Sequence, residues 1–296
     1  MVDSMTRVAV ISTNDRVYGV NKSLELLDIN PVKGKNVILK PNFNTADPPP
    51  ASSSMETVKQ LVLKLKEMGA KSITIAERAG PAKTSEVFEK KGLNVLAKEL
   101  GFKIVDLTDV SRDEYVHKNP NGNHWKEGFL FAKIYDEAEC IIETCCLKTH
   151  MYGGQFTISL KNAVGLVNKK NMSELHSSKY QREMIAEINC VYKPDLIVMD
   201  GVITFVDRGP MEGTRVEANV FVAGTDKIAI DAVGVAILRI LGTTPEVTNG
   251  PIFEQDQIKR AVELGLGVTS PKEIEFLTDS EESEEFVAEI KEELVQ

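Results

Sequence analysis

Between Cys145 and Ser173 the chain reads CCLKTHMYGGQFTISLKNAVGLVNKKNMS, with Lys148, Lys161, Lys169, Lys170 and His150 but no aspartate or glutamate. In a chain of net charge -9 such a run marks a local basic pocket. The apolar run CIIETCCL at 140–147 leads into it and has the length of a buried strand. Lys148, Thr149 and His150 are therefore expected where a strand ends, and in open α/β sheets ligands sit outside the carboxyl ends of the strands. Together with Gly153, Gly154, Thr157, Ser159, Lys161 and Asn162 they read as one anion-handling site.

The residue types set the chemistry. Lysines hold a carboxylate or phosphate as compact point charges, and clustered lysines depress one another's pKa until one becomes a usable base. Asn42 and Asn162 donate and accept without changing charge, which suits them to orienting a substrate oxygen. His150 has three readings, as acid/base catalyst, metal ligand or neutral donor to the anion. A metal site would draw on His150 and His176 with Glu77 or Asp200, although the 25 residues between the histidines form no local HxxxH motif. Ser159 and Lys161, two residues apart, would share a strand face as a Ser/Lys nucleophile pair. The glycine-rich segment GPMEGT at 209–214 matches neither GxGxxG nor GxxxxGK[ST], so no Walker-type nucleotide site is expected.

These residues need a frame. Strand-length apolar runs at 7–12, 36–40, 72–77, 103–108, 139–147, 195–200 and 218–223 alternate with helical patterns at 54–68, 84–100, 174–190, 227–241, 254–264 and 282–294, the second divided at Gly92. That alternation predicts an α/β fold, a mostly parallel sheet flanked by helices in Rossmann-like layers, as one domain or two subdomains. Several strands discharge polar residues at their ends: Lys40-Pro41-Asn42, Glu77-Arg78, Lys148-Thr149-His150 and Asp200-Gly201. Parallel neighbours would bring these tips together, with Lys40 among the anion-binding groups and Asp231, early in the helix at 227–241, behind them. Ser53 with Glu56 forms a capping box for the helix at 54–68, and the Asp47-Pro48-Pro49-Pro50 segment before it is an extended loop that could wall the site. The least periodic segment, 109–128, reads as an inserted loop or hairpin carrying His117, His124 and Trp125.

Composition sets the outer bounds. The 296 residues are 42% hydrophobic and 27% charged, enough to bury a large core. From Asp279 to Gln296 there are eight acidic residues and one lysine, so most of the net charge belongs to an acidic C-terminal helix at 279–296. No basic run with aromatic interleaving suggests nucleic acid, and no apolar span suggests a signal peptide or membrane segment, which points to a cytoplasmic protein. Cys140, Cys145, Cys146 and Cys190 show neither CxxC spacing nor a ferredoxin run. The adjacent Cys145 and Cys146 would face opposite sides of a strand, one in the core and one near the site.

The ordered motifs LKPN (39–42), KTH and TISLKNAVGLV (148–167), His176, PDLIVMDG (194–201), GPMEGT (209–214) and TDKIAIDAVG (225–234) resemble the domain-of-unknown-function 362 family over roughly 35–241. Many members of that family carry ferredoxin-like iron–sulfur modules. This chain has no such cysteine run, so the resemblance implies at most a separate ferredoxin-like electron-transfer partner. The family is in turn similar at the level of fold to nickel-dependent lactate racemase, whose enzymes use histidines and lysine around an organometallic cofactor, and this implies a divalent metal or metal-containing cofactor. The leading expectation is an enzyme of isomerase or oxidoreductase type acting on a small anionic metabolite. Lys148, Lys161 and Lys40 would hold the anion, His150 would be acid/base or cofactor ligand, and Asn42 and Asn162, with Thr149, Thr157 and Ser159, would orient it. A redox or cofactor-maturation accessory, a non-catalytic anion binder, and an oligomeric state stand beside it.

Overall fold

The computed structural model describes residues 5–296. Eleven strands form: β1 (Thr6–Ser12), β2 (Asn36–Lys40), β3 (Ser72–Glu77), β4 (Lys103–Asp106), β5 (Tyr115–Lys118), β6 (Phe129–Ala132), β7 (Cys140–His150), β8 (Gln155–Thr157), β9 (Leu196–Phe205), β10 (Arg215–Gly224) and β11 (Ile274–Leu277). Twelve helices connect and cover them: α1 (Arg16–Leu27), α2 (Met55–Glu67), α3 (Thr84–Lys90), α4 (Leu93–Leu100), α5 (Lys133–Asp136), α6 (Ser159–Asn162), α7 (Met172–Ser177), α8 (Gln181–Ile188), α9 (Lys227–Ile240), α10 (Pro245–Thr248), α11 (Asp256–Glu263) and α12 (Glu281–Leu294). Among these described residues no helix is long and apolar enough to cross a membrane.

The main sheet has nine strands in the order β11-β1-β10-β9-β7-β2-β3-β4, with β8 added to the end of β7. Its β9-β7-β2-β3-β4 half is parallel throughout, as the alternating pattern predicts. The other half departs from that pattern: β10 runs antiparallel to both β9 and β1, because β9 reaches β10 through a short loop rather than a crossover helix. One apolar layer packs α1 to α4 on one face, including Val20, Leu24, Leu61 and Leu65. The opposite layer holds α9, α11 and α12, and a third cluster joins Trp125, Phe129, Phe131 and Tyr192 around α8.

Local sequence explains most boundaries. In α2 the buried positions Val58, Leu61, Val62 and Leu65 recur at helical spacing. Ser54, not Ser53, caps it: the Ser54 side chain accepts from the Glu56 backbone N–H, while the Ser53 hydroxyl accepts from the Asn42 backbone N–H at 2.8 Å. Gly92, at φ 70°, supplies the left-handed turn that divides α3 from α4. The single helix expected at 174–190 is two, α7 and α8, with residues 178–180 between them. α1 carries no expectation from sequence, yet Asp15 caps it through the Tyr18 N–H, and Val20, Leu24 and Leu27 are its buried stripe.

The segment at 109–128 contributes β5 to a two-stranded ribbon with β6. Trp125 is buried, and His124 Nδ1 lies 2.6 Å from the fully buried Glu187 carboxylate, so this histidine is structural. In the acidic C-terminal helix Val287, Ile290 and Leu294 are buried, while its glutamates face solvent.

Helix α9 is buried over its first twelve residues and depends on close packing. A Cβ on Gly234 would lie 2.5 Å from Ile158 Cδ1 and 3.3 Å from both Leu147 Cδ1 and Met199 Sδ. Alanine is the better helix former by about 1 kcal/mol, but overpacking of this kind costs about 1–3 kcal/mol. Gly234→Ala is expected to lower the urea midpoint, and an unchanged or raised midpoint would contradict this close packing.

Candidate functional site

The parallel half of the sheet sets the site. β2 and β3 are neighbours in register, so Lys40 and Glu77 meet just as the strands end. Lys40 Nζ lies 2.7 Å from Glu77 Oε2, and both side chains are almost wholly buried. The same ammonium donates to the Pro41 carbonyl at 2.7 Å and to Asn162 Oδ1 at 3.1 Å. Asn162 Oδ1 also accepts from Asn42 Nδ2 at 3.1 Å, and its amide nitrogen donates to Glu143 Oε1 at 3.2 Å. Lys148 Nζ completes the floor by donating to Asn42 Oδ1 at 3.1 Å and to the Ala51 carbonyl at 2.6 Å. Four of the expected residues, Lys40, Asn42, Lys148 and Asn162, thus form one buried polar network in which Asn162 is the hub.

Lys148, Thr149 and His150 do not emerge past a strand end as expected. β7 continues through them, because β8 folds back and pairs Lys148 with Thr157, Thr149 with Phe156 and His150 with Gln155. Gly153, at φ 81°, makes the turn possible. Beyond β8, α6 carries Lys161 and Asn162, and its first N–H groups are held from behind: Asp231 Oδ1 accepts from Ser159 N at 2.8 Å and Leu160 N at 3.1 Å. Asp231 therefore fixes the site without facing it, and burial pushes its carboxyl up to about 8.

These elements line an open cavity of about 760 Å³. Lys40, Arg78, Lys148, Lys161 and Lys169 line it against a single carboxylate, Glu77, which Lys40 already engages. Arg78 closes one side, its guanidinium donating to the Val167, Ala79 and Val164 carbonyls. Phe43, Pro81, Val164, Met172, Pro210 and Met211 give the cavity an apolar part of its wall.

Burial dominates the electrostatics. It lowers the Lys161 ammonium to about 7, helped by the positive charges of Lys148 and Arg78, and lowers Lys148 to about 8. His150 is held well below its usual range by burial and then by Lys161, Lys148 and His176, so its imidazole is neutral at pH 7. Its Nδ1 is buried without a partner. Burial also raises Glu143 to about 7. That residue is missing from the expected site because it sits in an apolar run. A carboxylate in the middle of a buried strand is nonetheless a signal, since it demands partners.

A Cβ built on Gly154 would fall 2.6 Å from Lys161 Cε and 3.0 Å from His150 Nδ1, so both side chains close on the same point. Gly154 has no positive φ, so alanine strains no backbone there. Gly154→Ala is expected to leave the unfolding free energy from urea titration within about 1 kcal/mol of wild type while weakening anion binding about tenfold or more. Unaltered binding measured by calorimetry would detach Lys161 and His150 from the ligand site.

Several expected site residues lie elsewhere. Asp200 is not at a strand tip, because β9 runs on to Phe205; its carboxylate takes Arg16 Nε at 2.9 Å and the Thr57 hydroxyl at 2.6 Å, outside the cavity. Thr149 and Ser159 are buried and do not line the cavity either. Ser159 begins a helix, so it shares no strand face with Lys161 and the Ser/Lys pair is not formed. Thr157 does line the cavity. The proline loop is no wall, but its successor Ala51 anchors Lys148.

His150 and His176 both border the cavity, and the carboxylates expected to join them as metal ligands are engaged by Lys40 and Arg16. Among the described residues no three His, Cys, Asp or Glu side chains are grouped to hold a metal ion. Two imidazoles are a sparse donor set beside the three or four protein ligands of ordinary metal centres, so these residues do not fit a metal ion held by protein ligands alone. Cys145 packs in the apolar layer with Leu147 and Met199, whereas Cys146 lies by Ser53 and Lys148 on the other side of the strand. Burial pushes both thiols up, away from the thiolate that a cluster requires.

The family described as "Domain of unknown function (DUF362)" matches residues 37–236. The Thylakoid-associated protein sll1697 of Synechocystis sp. is 26% identical over 251 residues, which cover 81% of this chain and 74% of that protein. Among solved structures, the lactate racemase apoprotein from Thermoanaerobacterium thermosaccharolyticum superposes with a TM-score of 0.50 at 14% identity. That superposition covers 77% of this chain and 56% of the racemase chain, and it is a likeness of fold.

Proposed function

The chain belongs to the DUF362 family, and from that premise we propose that it is an enzyme acting on a small anionic metabolite, a carboxylate or phosphate, held in the Lys/His cavity. The observation that carries this reading is the charge imbalance: besides the Lys40–Glu77 pair, the buried Arg78, Lys148 and Lys161 line the cavity and no carboxylate of the lining faces them. Buried cations without counter-charges are unfavourable, and a bound anion would relieve them.

In this reading Lys148 is the main anchor for the anion, since Asn42 and Ala51 hold its ammonium but offer no negative charge. Asn42 and Asn162 orient a substrate oxygen. Lys161 has a proton affinity suited to moving a proton near pH 7, and the neutral His150 offers a ring nitrogen with no other partner. The apolar part of the wall favours a metabolite with some hydrocarbon next to its anionic group. A lactate racemase on a similar fold accords with chemistry beside a carboxylate.

Titration calorimetry and thermal unfolding with lactate, inorganic phosphate and the neutral lactamide test the proposal. Either anion at 100 times its Kd should stabilise the wild type by about 2.7 kcal/mol, and lactamide should not. Lys148→Met should lose at least about 2 kcal/mol of that binding energy, within the range for charge-assisted hydrogen bonds. Equal affinity for lactate and lactamide would sink the anion reading.

A further inference from the structure

We propose that Lys161 is a covalent catalyst, its amine condensing with the carbonyl carbon of an anionic aldehyde or 2-oxo acid bound in the cavity while His150 moves the protons. The proposal rests on the anion-binding reading above and adds the reactive group that the ligand must carry.

Three observations single out Lys161. The first is its freedom relative to its neighbours. Lys40 is tied to Glu77, Pro41 and Asn162, and Lys148 to Asn42 and Ala51. Lys161 lines the same cavity beside other cations, Lys148 and Arg78, and no carboxylate acts on it. Its lone pair is not committed elsewhere. The second is the cradle at Gly154, where the missing Cβ lets Lys161 Cε and His150 Nδ1 approach a common point. The third is His150 itself, whose Nδ1 is buried, unpartnered and beside that lysine. A nucleophilic lysine needs desolvation, neighbouring positive charge and a nearby base, and all three meet here. The lowered proton affinity of Lys161 agrees with this geometry.

The chemistry balances without a further reactant. The Nζ lone pair forms a C–N bond to the carbonyl carbon as the C=O π pair moves onto oxygen. His150 accepts one proton from nitrogen and delivers it to that oxygen, and then relays the second nitrogen proton to the resulting hydroxyl. The C–O bond then breaks, C=N forms, and one water is released for each imine. Nothing is oxidised or reduced. The imine withdraws electrons from the neighbouring carbon, which assists removal of its proton or of a carboxylate group.

The test is reductive trapping of the full-length protein with glyoxylate, and separately pyruvate, in the presence of sodium cyanoborohydride, followed by peptide mass mapping. The expected result is a single stoichiometric adduct on Lys161, formed at pH 7 at least about tenfold faster than on any exposed lysine. Lactate in excess should slow it by occupying the anion site, and Lys161→Met should abolish it. Labelling spread over many lysines, or concentrated on Lys148, would overturn the assignment. If calorimetry shows lactate binding and no adduct forms on Lys161, the covalent step falls while the anion site stands. If neither binding nor adduct is seen, both fall.

Discussion

Lys161→Met is expected to unfold at higher urea concentration than the wild type at pH 7, even as it loses function. The Lys161 proton affinity falls from 10.5 to about 7 on folding, and each unit is worth about 1.4 kcal/mol. The penalty is therefore a few kcal/mol at pH 7 and below, where the unfolded chain holds a proton that the folded site binds poorly. Between about 7 and 10.5 the unfolded chain still binds the proton more tightly than the folded one, so wild-type stability gains on the variant as pH rises. Above 10.5 both states are neutral and the difference closes. Methionine keeps the length and apolar character of the side chain, and no salt bridge is lost. The measurement is urea unfolding of both proteins at pH 7 and pH 10. A variant less stable than wild type at pH 7 would mean that a stabilising partner holds the Lys161 ammonium.

Glu77→Gln should act in the opposite direction, and strongly. The carboxylate accepts from Lys40 Nζ and the Phe43 N–H through Oε2, and from the Arg78 N–H through Oε1. An amide in its place must point an NH₂ group at one of these donors, and it leaves the Lys40 ammonium buried without a counter-charge. Breaking a buried pair from one side costs about 3–5 kcal/mol. The double variant Lys40→Met/Glu77→Gln should recover part of that loss, with a coupling energy of about 1–3 kcal/mol in a double-mutant cycle. A single-variant cost below about 1 kcal/mol would show that the pair does not hold the floor of the cavity.

The strands that deliver Lys40 and Glu77 were legible because each is a short apolar run that stops at a proline or a charged residue; β2 and β3 have the expected limits. Lys148, His150, Lys161, Asn42 and Asn162 do gather as expected, since the density of cations without acids has little structural use. Other features depend on partners far along the chain. Whether a strand stops at Asp200-Gly201 is decided by β10, which pairs with β9 on both sides of that point; the β-branched Val202, Ile203 and Thr204 were the available sign. Thr149 and Ser159 stand among site residues in sequence, yet a pleat and a helix start turn them away. Arg16, which takes up Asp200, comes from a helix whose cap and stripe are modest signals.

Because β7 and β8 form a paired hairpin, Lys148 and His150 hang from backbone that is hydrogen-bonded in a sheet, while Pro81, Met172, Pro210 and Met211, which line the same cavity, belong to connecting segments and a short helix. Substitutions at these four positions can therefore change which hydrocarbon body is admitted without moving the charged floor. Related chains could diverge in substrate while keeping one chemistry, and a designer seeking a new specificity would begin at those four positions.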